Sequence, residues 1–372
     1  MLNILVAGLI GLVVTLFGTR PWILFLKRNA YGQFIRDDGP TTHHVKRGTP
    51  TMGGAIVLVA VVLGYLGSHL SLTVAGLAGV RGLDQRGQPL TVSGLLALGL
   101  MVALGAVGFA DDWAKIRHHR SLGLHAKAKL VLQTVIGLTF AVLALNFPNA
   151  ASPGITPAST AISFQRDVTW LTLPGWLAVL WILFIIASYS NGTNLTDGLD
   201  GLLAGSAVMA FGAYVLVNFW QWNQACFRKP LGTAACYVTR DPLDLAVLAA
   251  AVAGALIGFL WWNARPAKIF LGDTGSLALG GGFAALTILT RTELVGVVIG
   301  LLFVMEALSV VLQVGFFKLS HGRRLFKMAP LHHHFEMLGW EEVTVVIRLW
   351  LLAGIAVIGG VSLFYAEWVL SQ

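Results

Sequence analysis

Ten stretches of roughly twenty mostly apolar residues run through this chain, each long enough as a helix to cross about 30 Å of hydrocarbon. They cover residues 3–26, 52–70, 93–111, 125–146, 173–190, 199–220, 243–262, 275–291, 293–317 and 343–369. Uninterrupted apolar runs of this length predict helices, because barrel strands would show segments of about ten residues with alternating polarity. Of 372 residues, 56% are hydrophobic and 11% charged, against about 25% charged in a soluble domain. A cytosolic enzyme with one core is thereby excluded, and so is disorder, which needs few apolar residues. Forty-three glycines without period and only two cysteines exclude collagen and disulfide scaffolds. The expected fold is an all-α integral membrane protein, one polytopic domain over residues 1–372.

Charge predicts the orientation. Met1–Phe17 carries no charge, and Arg20, Lys27 and Arg28 follow the first apolar run. That order fits a retained first span with its N-terminus outside better than a cleaved signal peptide. Seventeen of the twenty-five Lys and Arg residues fall on the odd-numbered loops. The positive-inside rule then makes those loops cytoplasmic and leaves both termini extracytoplasmic. The net charge of +8 sits almost wholly on that face. Attraction to anionic lipid accounts for it, and so does an anionic substrate; charge alone does not choose.

The polar strings choose better. Gly48-Thr-Pro-Thr-Met-Gly-Gly54, Phe109-Ala-Asp-Asp-Trp113, Asn191-Gly-Thr-Asn-Leu-Thr-Asp-Gly-Leu-Asp200, Phe270-Leu-Gly-Asp-Thr-Gly-Ser276 and Pro330-Leu-His-His-His-Phe-Glu336 all lie on odd loops. Five such loops on one membrane face suggest one composite site. Asp111, Asp112, Asp197, Asp200 and Asp273 stand at span ends, where a carboxylate is costly unless it is paired or binds a cation. Several carboxylates together suit Mg²⁺, which often bridges protein to phosphate. Asp111 and Asp112 would point about 100° apart on a helix, so they are not expected to share one job. Asp111 and Lys115, four apart, could form a plain ion pair. Gly272-Asp-Thr-Gly-Ser276 opens a helix and offers backbone N–H groups to an anion, without the Walker pattern. His332, His333 and His334 are consecutive, a spacing that cannot bring all three to one metal on a regular helix. Phosphate binding or acid–base work fits them better. Glu306, Ser309 and Gln313 share one helical face inside the ninth span. Glu306 is expected to serve structure, and Gln313, nearer the cytoplasmic end, substrate.

In their order and placement, these five strings resemble the polyprenyl-phosphate N-acetylhexosamine-1-phosphate transferase superfamily. The aspartate strings are common to the superfamily, and PLHHHFE points to its phospho-N-acetylmuramoyl-pentapeptide transferase branch. The resemblance runs from about residue 43 to 348. It implies ten membrane helices, a cytoplasmic active-site cleft, a homodimer among membrane lipids, and Mg²⁺ as cofactor. The implied reaction moves phospho-MurNAc-pentapeptide from UDP-MurNAc-pentapeptide to undecaprenyl phosphate, giving lipid I and UMP in peptidoglycan biosynthesis. By this resemblance Asp273 is the main Mg²⁺ ligand. Asp111 and Asp112 deprotonate or position the lipid phosphate, with His332 also in the catalytic set. Asn191, Asn194, Asp197 and Asp200 line the nucleotide-sugar site, and Asn263 and Phe270 meet uracil. Lys46, Thr51, Lys115, Lys127, Gln313, His332 and His333 hold phosphates and sugar. Nucleic acid is not an expected partner.

Two outer loops, 146–172 and 221–242, look long for this family. The second holds Cys226 and Cys236, which on the oxidising side could be a disulfide or free thiols. A sister enzyme acting on UDP-GlcNAc would share the aspartates but not the triple histidine. A cation-coupled transporter would place its acids at the bilayer midplane rather than at one face.

Overall fold

The computed structural model describes residues 1–29, 31–32, 48–77, 90–118, 123–147, 155–226 and 236–370. The helices are α1 (Leu2–Arg28), α2 (Gly53–Leu77), α3 (Val92–Arg117), α4 (Ala126–Asn146), α5 (Gly175–Thr196), α6 (Leu202–Asn223), α7 (Pro242–Asn263), α8 (Gly272–Leu289), α9 (Glu293–Ile299), α10 (Leu301–Leu319), α11 (Leu331–Met337) and α12 (Glu342–Leu370). Nine helices among the described residues are long and apolar enough to cross a membrane: α1 to α7, α10 and α12. Their outer faces carry Leu5, Leu9 and Phe17 on α1, Val131, Val135 and Leu138 on α4, and Leu351, Ile355 and Ile358 on α12, all exposed. Apolar surface on this scale needs a lipid solvent, and the chain is a multi-pass membrane protein.

The eighth expected span, 275–291, is α8 (Gly272–Leu289). Its opening Gly-Asp-Thr-Gly-Ser and the three glycines at 280–282 make it less apolar than the others. It can tolerate them because it does not meet lipid: every residue from Thr274 to Leu289 is buried, against α3, α5 and α2. Buried α7 packs on α1, α6 and α2 in the same way. Without hydrophobic drive between helices in lipid, small residues permit the close approach that dispersion needs. A Cβ on Gly254 of α7 would lie 2.0 Å from the Gly8 carbonyl oxygen of α1.

Two expectations need correction. The ninth span, 293–317, is not one helix: α9 ends at Gly300, where φ is −89° and ψ 21°, and α10 begins beyond it. Gly296 and Gly300 weaken the helix there. The hydrogen bonds from Gly300 N–H to Gly296 and from Val304 N–H to Gly300 continue across the joint. The helices are also not the whole of the expected all-α fold: the loop 146–172 contains a short antiparallel hairpin of β1 (Ala161–Ser163) and β2 (Asp167–Thr172). It is seated on α9, where Ser163 N–H donates to buried Glu293 at 2.8 Å.

Alternating helix directions separate two polar ends. At one, buried Asp244 joins α7 to α2 and α3, accepting from Tyr65 Oη at 2.7 Å and from the Thr91 hydroxyl at 2.6 Å. The hairpin lies at this end, as does Cys226, which is disulfide-bonded to Cys236. The other end gathers the five polar strings.

Candidate active site

The aspartates meet because α3 and α8 cross without side chains between them. A Cβ on Gly108 would lie 2.0 Å from the Asp273 carbonyl oxygen. One turn further along α3, Asp111 and Asp112 therefore reach the start of α8, and they do different things there. Asp112 accepts from the N–H groups of Asp273 (3.2 Å) and Thr274 (2.9 Å) and from the Thr274 hydroxyl (2.7 Å). It caps α8 from a neighbouring helix, a task that Leu271, the residue at the capping position, has no side-chain acceptor to perform. Asp111, rotated away from that cap, accepts from Leu124 N–H at 2.8 Å and pairs with Lys115 at 2.7 Å.

Asp273 is the hub. Lys115 Nζ lies 3.2 Å and Lys129 Nζ 2.7 Å from its Oδ2, while Asn194 donates to its Oδ1 at 2.9 Å and to Ser276 Oγ at 2.8 Å. Thr193 donates to the Ser276 carbonyl at 2.8 Å and fastens α5 to α8 beside it. Asp111, Asp112 and Asp273 each offer an oxygen within 4.8 Å of the others. Three carboxylates against two ammonium groups leave one net negative charge, a setting hostile to an anionic substrate until a cation joins it. An all-oxygen donor set of this kind suits Mg²⁺.

Asp197 follows α5, close behind. Burial, then the charges of Asp273 and Asp112, push its carboxyl up to about 8, against a hydrogen bond from Gly272 N–H. Asp200 belongs to a second cluster: its Oδ2 accepts from Ala267 N–H at 3.1 Å and its own N–H donates to Glu342, which pairs with Arg265. Buried Asn263 donates to the Ile269 carbonyl at 3.0 Å. Together these hold the joint between α7 and α8 in place. The same joint pairs with the first polar string, Phe270 N–H donating to Pro50 and Gly53 N–H to Phe270. Thr51 is buried alongside.

The triple histidine forms α11. His332 is fully buried, its Nδ1 3.2 Å from Glu306 Oε2. Its Nε2 edge faces Gly198, where a Cβ would come within 2.1 Å. The histidine string thus packs on the Asp197–Asp200 turn. His333 Nδ1 lies 2.7 Å from Glu336. Gln313 is not brought to the aspartates; its carboxamide accepts from Phe326 N–H at 2.8 Å and donates to the Phe326 carbonyl at 3.2 Å, fastening the loop before α11. Asn191, a turn before Asn194, is exposed and donates to Ala187 of its own helix. Lys127 is exposed on the first turn of α4, and Lys46 lies outside the described residues.

The glycosyl transferase family 4 profile matches residues 94–291, the stretch that contains α3 to α8 and the whole aspartate centre. A phospho-N-acetylmuramoyl-pentapeptide-transferase of Cutibacterium acnes is 54% identical over 372 residues, all of both chains. Those of Paenarthrobacter aurescens and Kineococcus radiotolerans are 55% and 56% identical over 376 residues, 99% of each chain. The chain belongs to the phospho-N-acetylmuramoyl-pentapeptide transferases.

For a phospho-N-acetylmuramoyl-pentapeptide transferase the unforeseen residue is Lys129. Sequence reasoning selects Lys127, yet Lys129 makes the 2.7 Å pair with Asp273. Both stand in the first turn of α4, and two residues apart on a helix means about 200° of rotation. Only the face of α4 turned towards α8 decides between them. The cap role of Asp112 was equally hidden, because it depends on a helix 160 residues later in the chain.

Proposed function

We propose that this protein transfers phospho-MurNAc-pentapeptide from UDP-MurNAc-pentapeptide to undecaprenyl phosphate, giving lipid I and UMP. The observation that carries the reading is the centre of Asp111, Asp112, Asp273, Lys115 and Lys129 at one end of a membrane bundle, in a chain related over its full length to enzymes of that name. A reaction between a water-soluble donor and a lipid phosphate needs its site at the membrane border. Phosphoryl transfer is chiefly positioning and neutralisation of charge. Lys115 and Lys129 hold phosphate oxygens there, and Asn194 keeps Asp273 oriented. Asp111, bound to one N–H and one lysine, positions the acceptor phosphate and takes its proton when it carries one. Asp112 is a positioning residue, acting through α8. Mg²⁺, held by Asp273 with Asp111 beside it, would reverse the sign of the centre and polarise the donor pyrophosphate. His332, buried between Glu306 and Gly198, seats α11 on the Asp197–Asp200 turn, and His333 beside it meets the sugar end of the donor.

The aspartate end faces the cytoplasm in this reading, with both termini outside, in a bacterial plasma membrane. The Lys/Arg bias supports this, and so does the Cys226–Cys236 disulfide at the opposite end, which belongs on an oxidising side. The resemblance adds a homodimer. The test offers purified protein undecaprenyl phosphate, Mg²⁺ and either UDP-MurNAc-pentapeptide or UDP-GlcNAc, and identifies the extracted lipid by mass. Lipid I from the pentapeptide donor alone is expected. A GlcNAc-bearing lipid alone would keep the superfamily and overturn the branch.

A further inference from the structure

A largely apolar groove of about 250 Å³ lies between α4 and α5, lined by Leu130, Thr134, Leu180, Leu183, Phe184 and Ile186, with the Thr134 hydroxyl satisfied by the Leu130 carbonyl of its own helix. Gln133 interrupts this lining. It is 5% exposed, and its carboxamide Nε2 has no hydrogen-bond partner among the described residues. A buried unpaired donor costs free energy wherever it occurs, and lipid offers no water to relieve it. An orphaned amide in an apolar wall therefore calls for an explanation.

Its position supplies one. Gln133 lies one turn from Lys129, on the same face of α4, and Lys129 is bonded to Asp273. Across the groove, Ala187 lies one turn before Asn191 and two before Asn194, which also binds Asp273. The groove thus begins where the charged centre ends. It closes deeper in the bundle where α4 and α5 touch, a Cβ on Gly137 falling 2.8 Å from Leu183 Cδ2. From Lys129 to Gly137 the helix rises about 12 Å. An acceptor whose phosphate was held by Lys129 would enter this groove with its first carbons and bring the oxygen that bridges phosphorus and C1 towards Gln133.

We infer that Gln133 is a binding residue for the lipid acceptor, its amide donating to the bridging ester oxygen of the polyprenyl phosphate while the first isoprene carbons lie against Leu130, Leu183 and Phe184. The assignment rests on the reaction proposed above. It gives the enzyme a contact made by the acceptor alone, at the one oxygen of that phosphate that cannot serve as the nucleophile because it is already esterified to C1.

The test is a cycle between protein and ligand. Undecaprenyl phosphate and its phosphonate analogue, with CH₂ replacing the bridging oxygen, are compared as acceptors for the wild type and for Gln133→Met. In the wild type the phosphonate should raise the acceptor KM about tenfold. Gln133→Met should raise it about tenfold for the phosphate, leave the donor KM unchanged and add little further loss for the phosphonate. Its thermal midpoint should equal or exceed that of the wild type, because an unpaired buried amide has gone. A purely structural glutamine would instead lower the midpoint and leave the acceptor KM alone. A wild type that binds both acceptors equally, or a variant that suffers the full phosphonate loss, would overturn the assignment without touching the reaction. Absence of any transfer to undecaprenyl phosphate by the wild type would overturn the reaction and the assignment together.

Discussion

Gly108→Ala tests how the centre is held. The added Cβ would lie 2.0 Å from the Asp273 carbonyl oxygen, 2.4 Å from its carbon and 2.6 Å from Thr274 N, where real contacts do not fall below 3.0 Å. All three atoms are backbone, so no side chain can rotate aside. The helices must part by about 1 Å. Overpacking of this kind costs about 1–3 kcal/mol of stability. The larger effect is on activity: Asp273 moves with α8 while Asp111 stays on α3. A misplacement of about 1 Å in a catalytic constellation costs on the order of 100-fold in rate. The assay is kcat for UMP release in detergent, with thermal unfolding followed alongside. Gly99→Ala is the control, since nothing lies within 4 Å of a Cβ there on the same helix, and it should keep wild-type activity. A folded Gly108→Ala protein with more than about half the wild-type kcat would refute the claim that this crossing sets the geometry of the centre.

Lys129→Met should lower kcat/KM for the acceptor by at least about tenfold, while Lys127→Met changes it less than about twofold; the reverse order would return Lys127 to the site. Asp197 gives a pH signature. Between about pH 4 and pH 8 the folded chain keeps a proton there that the unfolded chain has released, so stability falls as pH rises through that window. Asp197→Asn is neutral throughout, and its thermal midpoint between pH 5.5 and 8.5, measured without divalent ions, should fall less steeply than that of the wild type. The Cys226–Cys236 bridge closes a short loop, ten residues apart in sequence, and is worth about 2–3 kcal/mol in the chain-entropy account. The double Ser variant should unfold at lower temperature with unchanged turnover, since the bridge lies at the end of the bundle away from the aspartates.

Much of this architecture is legible in the residues because lipid is a simple solvent. A run such as Leu2–Phe17 can only span, and strings such as Phe109–Trp113 and Phe270–Ser276 can only sit at borders. The order of the polar strings along the chain then places them at one end of the bundle. What stays hidden depends on rotation about a helix axis or on partners distant in sequence. Lys127 and Lys129 differ only in the face they present. Asp112 is indistinguishable from Asp111 until α8 arrives to be capped. Gln313 reads as a substrate ligand from its position on a polar stripe, but its amide matches the backbone of Phe326. The joint at Gly300 and the hairpin at 161–172 were missed for another reason: apolar content marks spans, not small bends or two short strands.

The most direct test of the central claim is UMP release from UDP-MurNAc-pentapeptide and undecaprenyl phosphate as Mg²⁺ is titrated, for the wild type and Asp273→Asn. The expected results are no turnover in chelator, saturable activation of the wild type by Mg²⁺, and a variant that stays folded yet gains almost nothing from Mg²⁺. Equal turnover with and without chelator, or activation of Asp273→Asn at the wild-type Mg²⁺ concentration, would contradict a cation site built on Asp273.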